Sequence, residues 1–196
     1  MAGAILAELD LLGAITLEGE HVKATEIAPE TEFQRELELI GHKPLPHTPK
    51  RWISTLASRS EVHRAYERMA SRAIVEHVGE KHLGLFRSAR YPEKDHGPEA
   101  VLMKKIEAAL RPSPPDPAPS ATAQPGTAPS GAATPDARTS ALIGLLEAAK
   151  LLGRLFPEAD LGRARELVKN HWPSRAVEDQ LRMIRLTHLN EIPPWI

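Results

Sequence analysis

The segment from Ala2 to Glu18, AGAILAELDLLGAITLE, crowds Ile5, Leu6, Leu9, Leu11, Leu12 and Ile15 into about three helical turns. A helix this apolar is buried on most of its sides and cannot serve as a surface element. Chain ends are ordinarily the loosest part of a domain, so a core helix at the start needs partners from later in the chain or from a further segment. Whatever fold forms must therefore return to its own beginning.

A length of 196 residues suits one domain or slightly more. Hydrophobic residues make up 41 % of the chain and aromatic residues only 4 %, so the core is built from Leu, Ile, Val and Ala, which favours helices over a β-sandwich. The 25 basic and 26 acidic residues nearly cancel, which leaves an anionic partner to be met by a local patch. The absence of cysteine excludes disulfides, thiolate catalysis and zinc–cysteine sites, and it fits a reducing compartment. No signal-peptide pattern is present. The most apolar run, Leu142 to Phe156, is interrupted by Glu147, Lys150 and Arg154 and is too short to span a bilayer. The expectation is a cytoplasmic protein that meets a membrane, if at all, at its surface.

The clearest boundary is residues 112–135, PSPPDPAPSATAQPGTAPSGAATP, which holds no large apolar residue to offset its ordering entropy and reads as a disordered linker. Before it, residues 1–111 read as the first part of a helical domain. The opening helix ends at Gly13, and a short hairpin turns at Glu18-Gly19-Glu20. Helices are predicted over Glu30 to Ile40, around Trp52, Ile53 and Leu56, and over Ser60 to Ala73. A second hairpin pairs Ile74 to Val78 with Leu83 to Arg87 around Gly79-Glu80-Lys81, and Pro98 opens a helix reaching Leu110. After the linker, residues 136–188 read as helices packing on the same domain, and residues 189–196 as an irregular tail. Asp136 caps an amphipathic helix carrying Leu142, Leu145, Leu146, Ala149, Leu152 and Phe156. Two more helices follow, over Asp160 to Asn170 and Ser174 to His188. The fold class expected is mainly α: a helical bundle core with peripheral amphipathic helices and two small β-hairpins.

Nine histidines invite a metal hypothesis, but His42, His47, His77 and His82 show no ligand spacing, and surface histidine explains them. No metal and no cofactor are expected. There is no phosphate-binding glycine loop and no nucleophile elbow, so nothing points to an enzyme. Arg59, Arg64, Arg68 and Arg72 recur near one helical turn, leaving Val62, Tyr66, Met69 and Ala73 for the inward face. Such a row grips phosphate oxygens through guanidinium forks, or it is a solvated face with Glu61 and Glu67 as partners. The following Leu83-Gly84-Leu85-Phe86, bordered by Lys81, Arg87 and Arg90, either enters a lipid headgroup layer or packs on the domain.

AGAILAELDLLGAITLEG, KRWISTL, VHRAYERMASRAIVEHVGEKHLGLFRSARYP and DARTSALIGLLEAAKLLGRLFP, in this order, resemble the Golgi phosphoprotein 3 family, in particular its shorter actinobacterial-type members. The likeness covers most of Ala2 to Leu186 apart from the linker. It implies a predominantly helical fold attached peripherally to membranes. In eukaryotic members a shallow basic pocket binds phosphatidylinositol 4-phosphate, a neighbouring apolar hairpin enters the bilayer, and the protein is an adaptor for Golgi glycosyltransferases and trafficking. That pocket uses a Trp and an Arg at the entry to the first core helix and two later arginines spaced R-x-x-R. The Trp-bearing segment lies upstream of Met1, so the resemblance implies a member lacking that amino-terminal segment, and Ala2 stands at the first arginine position. Of the later pair, Arg59 falls on the first arginine and Val62 on the second, with His63 or Arg64 reached by a one-residue shift. Leu83 matches the inserting apolar position. Each missing charge-assisted bond weakens a headgroup contact by roughly 1.5–3 kcal/mol.

The leading expectation is a non-enzymatic, peripheral anionic-phospholipid-binding protein, by resemblance a phosphatidylinositol 4-phosphate binder. Its headgroup contacts are Arg59 and Arg64, its inserting hairpin is Leu83, Leu85 and Phe86, and a protein client is an additional partner. Two other readings stand beside it: a truncated family member acting as a soluble interaction scaffold, and a winged-helix-like nucleic-acid-binding protein. The near-zero charge and the apolar first helix speak against the last, and no nucleic-acid partner is expected.

Overall fold

Helix α1 (Ala2–Leu11) ends where Gly13 adopts a φ of +68°. The Ala14 N–H donates to the Leu9 carbonyl and the Gly13 N–H to that of Asp10, both at 2.9 Å, which is a Schellman closure. The computed structural model describes residues 1–27, 29–82, 86–111 and 135–190, with the backbone alone at 80–82, 86–89 and 188–190. Strands β1 (Ile15–Glu18) and β2 (His21–Ala24) pair antiparallel across a turn at Gly19, and Val22 also bridges to His47. Helices α2 (Gln34–Gly41), α3 (Pro49–Leu56) and α4 (Arg59–Ser71) follow. Thr48 caps α3 ahead of Pro49, and Ser58 caps α4. Strands β3 (Val78–His82) and β4 (Phe86–Arg90) form the second hairpin and lead to α5 (Gly97–Leu110). Beyond residue 134 come α6 (Ala137–Ala148), α7 (Leu152–Leu155), α8 (Leu161–Leu167) and α9 (Trp172–Asn190). The fold is mainly α, as the composition implied.

Two apolar clusters hold it together. In the first, Ile5, Leu6 and Leu9 of α1 pack with Ile15, Val22, Leu37, Ile40, Trp52, Ile53, Leu56 and Ala176. In the second, Ile106 and Leu110 of α5 meet Ile143, Leu152, Phe156 and Ala164. Helix α6 touches α1 and α9 as well as α5 and α8, and so joins the two clusters. The close approach requires a glycine: a Cβ on Gly3 would overlap side-chain atoms of Val177 and Leu145. Polar clamps reinforce the seam. Arg138 donates to both oxygens of Glu8, at 3.0 and 2.6 Å, and Trp172 Nε1 donates to Asp10 at 2.9 Å.

Several boundaries differ from expectation. The helix predicted over residues 136–156 breaks at Lys150, whose φ is +58°, and resumes as α7. Helix α4 closes at Ala73, where its end was expected, at φ +57° and through the same closure seen at Gly13. Residues 74–77 then run outside the hairpin, Val75 bridging to Glu93, so Gly79-Glu80-Lys81 lie inside β3 and not at the turn. Helix α2 begins at Gln34 and not near Glu30, and α9 continues to Asn190. The proposed linker at 112–134 and the tail beyond residue 190 lie outside the described residues.

Candidate functional site

The arginine row sits on α4. Ser58 Oγ accepts the Glu61 N–H at 3.2 Å, which starts the helix at Arg59. Arg59 is exposed and, among the described residues, carries neither an ion pair nor a hydrogen bond. The other three guanidinium groups are engaged. Arg64 pairs with Glu61 and, at 3.5 Å, with Glu36 Oε1. Glu36 is only 2 % exposed and neither carboxylate oxygen has a hydrogen-bond partner, so Arg64 is its counter-charge among the described residues. Arg68 lies 4.8 Å over the Phe33 ring, and Arg72 pairs with Glu32. Three of the four arginines thus fasten α4 to α2 and the segment leading into it. One faces solvent.

The inward face of α4 also differs from the expected one. Val62 is 41 % exposed and Ala73 is exposed, Tyr66 and Met69 are half-buried, and Glu61 is the helix's buried residue. The helix turns toward Glu36 because the carboxylate–guanidinium triad lies on that side. Glu61 pairs with Arg64, but as a buried carboxylate and not on a solvated face, whereas Glu67 takes other partners. The Tyr91 hydroxyl donates to Glu67 at 2.7 Å and lies 2.9 Å from His63 Nδ1. With that hydroxyl hydrogen committed to Glu67, the His63 contact requires the proton on Nδ1. Tyr91 stacks on Tyr66 at 4.7 Å and on His77 at 5.0 Å, and His77 Nδ1 is 3.4 Å from Glu67. Burial, followed by the hydrogen bond and negative charge of Glu67, pushes the Tyr91 phenol up to about 12. Tyr91 directly follows β4, so this cluster anchors the foot of the second hairpin to α4.

Leu83 and Leu85, the expected inserting residues, lie outside the described residues, as does the side chain of Phe86, whose backbone opens β4 opposite His82. Ala2, at the family's first arginine position, is 6 % exposed and contributes no charge. Beside α1, a concavity of about 490 Å³ holds Arg72 and Arg138, each already matched by a carboxylate. Among the described residues, one trio places possible metal ligands together: Glu93, His96 and Glu99, within 4.8 Å of one another and all exposed. No described helix is long and apolar enough to cross a membrane.

Comparison with known proteins supplies one family. The family model described as Golgi phosphoprotein 3 (GPP34) matches residues 1–184. No curated protein matches the chain.

Proposed function

The chain belongs to the Golgi phosphoprotein 3 family, and from that premise we propose that it is a non-enzymatic peripheral protein that docks on anionic phospholipid. Phosphatidylinositol 4-phosphate is the first lipid to test. Arg59 is the headgroup contact, and the segment Leu83 to Phe86 enters the apolar layer beneath. The observation that supports this reading is the division of labour on α4. Arg59 alone of the row is exposed without a partner among the described residues, on the helix to which Tyr91 fastens the hairpin. Arg64 has a different part. Drawing its guanidinium out to a headgroup would strip the buried Glu36 of its counter-charge, so it serves as the bolt that sets the angle of α4.

One arginine on an anionic surface contributes about 1 kcal/mol, and a charge-assisted bond to a phosphate about 1.5–3 kcal/mol. Docking is therefore weak, reversible and salt-sensitive, and insertion of three apolar side chains supplies the rest. Co-sedimentation with phosphatidylcholine vesicles, with and without phosphatidylinositol 4-phosphate, tests this at low salt. Binding should require the phosphoinositide and weaken about tenfold in Arg59→Glu. Equal recovery with both vesicle types, or an unchanged Arg59→Glu variant, would contradict the reading.

A further inference from the structure

From Leu39 to Ser60 the chain contains no acidic residue, yet it carries Lys43, Lys50, Arg51 and Arg59 together with His42 and His47. In a protein whose charges nearly cancel overall, this is a local excess of positive charge. The structure gathers much of it on α3. Trp52, Ile53 and Leu56 turn into the core, which leaves Lys50, Arg51, Ser54 and Thr55 on the exposed face. Neither Lys50 nor Arg51 has an ion pair among the described residues. The imidazole of His47 nearby is held below its ordinary value by burial and then by the charges of Arg51 and Lys43.

The exposed face of α3 is concave where it meets α9. A hollow of about 570 Å³ is lined by Thr48, Lys50, Arg51, Ser54, Thr55 and Gln180. Gln180 belongs to its lining, and among the described residues its buried Oε1 has no hydrogen-bond partner. The two amide orientations are close to isosteric, and turned over, Gln180 would offer its Nε2 hydrogens to an acceptor in the hollow. Ser54 Oγ and Thr55 Oγ1 donate to the Lys50 and Arg51 carbonyls, at 3.4 and 2.9 Å. Two cations without ion pairs among the described residues, the Thr48 hydroxyl and the Gln180 amide therefore make the donor surface suited to phosphate oxygens.

We propose that the α3–α9 hollow is a binding site for a phosphate monoester, carried either by a lipid headgroup or by a soluble metabolite. Lys50 and Arg51 neutralise the charge, while Thr48 and Gln180 supply hydrogen bonds. The site is separate from the Arg59 contact and does not depend on it.

Titration of the intact protein with inorganic phosphate, followed residue by residue by NMR, tests the site. Saturating shifts should appear at Lys50, Arg51, Ser54, Thr55 and the Gln180 side-chain amide. Affinity should fall at least about tenfold in Lys50→Glu/Arg51→Glu and be unchanged in Arg59→Glu. Both replaced side chains of the double variant are exposed, so its remaining spectrum should match the parent. A second variant, Gln180→Leu, should weaken binding without altering the charge. Shifts centred elsewhere, none at saturating phosphate, or a double variant that binds as the parent does would each overturn the proposal. Vesicles containing phosphatidic acid identify the source. Competition with inorganic phosphate for these residues assigns the site to a lipid, and phosphate binding unaffected by the vesicles assigns it to a soluble ester.

Discussion

Replacing Arg64 with alanine is expected to lower the unfolding free energy by about 3 kcal/mol, while Arg59→Ala changes it by less than about 0.5 kcal/mol. The two arginines stand five positions apart on one helix and differ in what surrounds them. Removing Arg64 leaves Glu36, 2 % exposed and without a hydrogen-bond donor, as an uncompensated buried charge beside a second buried carboxylate, Glu61. Breaking such a pair by deleting one partner generally costs about 3–5 kcal/mol, and the lower end applies because the Arg64 side chain keeps 30 % exposure. Arg59 leaves nothing behind. Urea denaturation of both variants provides the measurement, read as midpoint shifts at constant slope. Similar stability for the two would show that Arg64 is as free as Arg59 and would return it to the headgroup site. Glu36→Gln combined with Arg64→Ala should recover much of the loss, since no buried charge is then stranded at that position.

Trp52→Ala should be more damaging, by about 3–5 kcal/mol. Trp52 is fully buried and packs where α1, α3 and α9 meet, so truncation opens a cavity between elements from both ends of the chain. Among the described residues its Nε1–H makes no hydrogen bond, and its ring lies 5.2 Å from His47. The residue therefore acts by volume and not by polarity. Trp52→Phe, which keeps most of the apolar area, should cost less than half as much as the alanine variant. A phenylalanine variant as unstable as the alanine one would mean that the indole nitrogen matters.

The parts of this fold that could be read in advance are those where side chain and backbone agree. The opening helix and its end were legible because a glycine stands where the left-handed residue is needed, and Thr48-Pro49 and Asp136 announce helix starts in the same way. The missed break within residues 136–156 has a local cause. Helix α6 ends through the closure used at Gly13, but its left-handed position is filled by Lys150, a side chain that gives no warning and costs roughly 1–2 kcal/mol there. The expected end of α4 near Ala73 holds, but the second hairpin starts at Val78 and not at Ile74. Residues 74–77 run outside it with Val75 bridging to Glu93, which puts the expected turn within β3.

The arginine row shows a different limit. Spacing identified four residues on one helix, but the partners of three of them, Glu32, Phe33 and Glu36, come from α2 and the residues before it. Periodicity within α4 carries no trace of those contacts. It also turned the wrong side inward, because apolar residues are assumed to face the core, whereas here a buried carboxylate does. The hollow on α3 left a weak mark, the absence of acids from Leu39 to Ser60, but only the fold brings Gln180 beside Lys50 and Arg51.

The most direct measurement uses the absence of cysteine, which makes Leu83→Cys a unique attachment point for a polarity-sensitive fluorophore. If Arg59 brings an apolar hairpin tip onto anionic bilayers, vesicles containing phosphatidylinositol 4-phosphate should shift the emission to the blue and brighten it. Phosphatidylcholine vesicles should leave it unchanged, and Arg59→Glu should abolish the response. A label that keeps its aqueous emission while the protein co-sediments with the anionic vesicles would contradict insertion at Leu83 and place the docking surface elsewhere on the molecule.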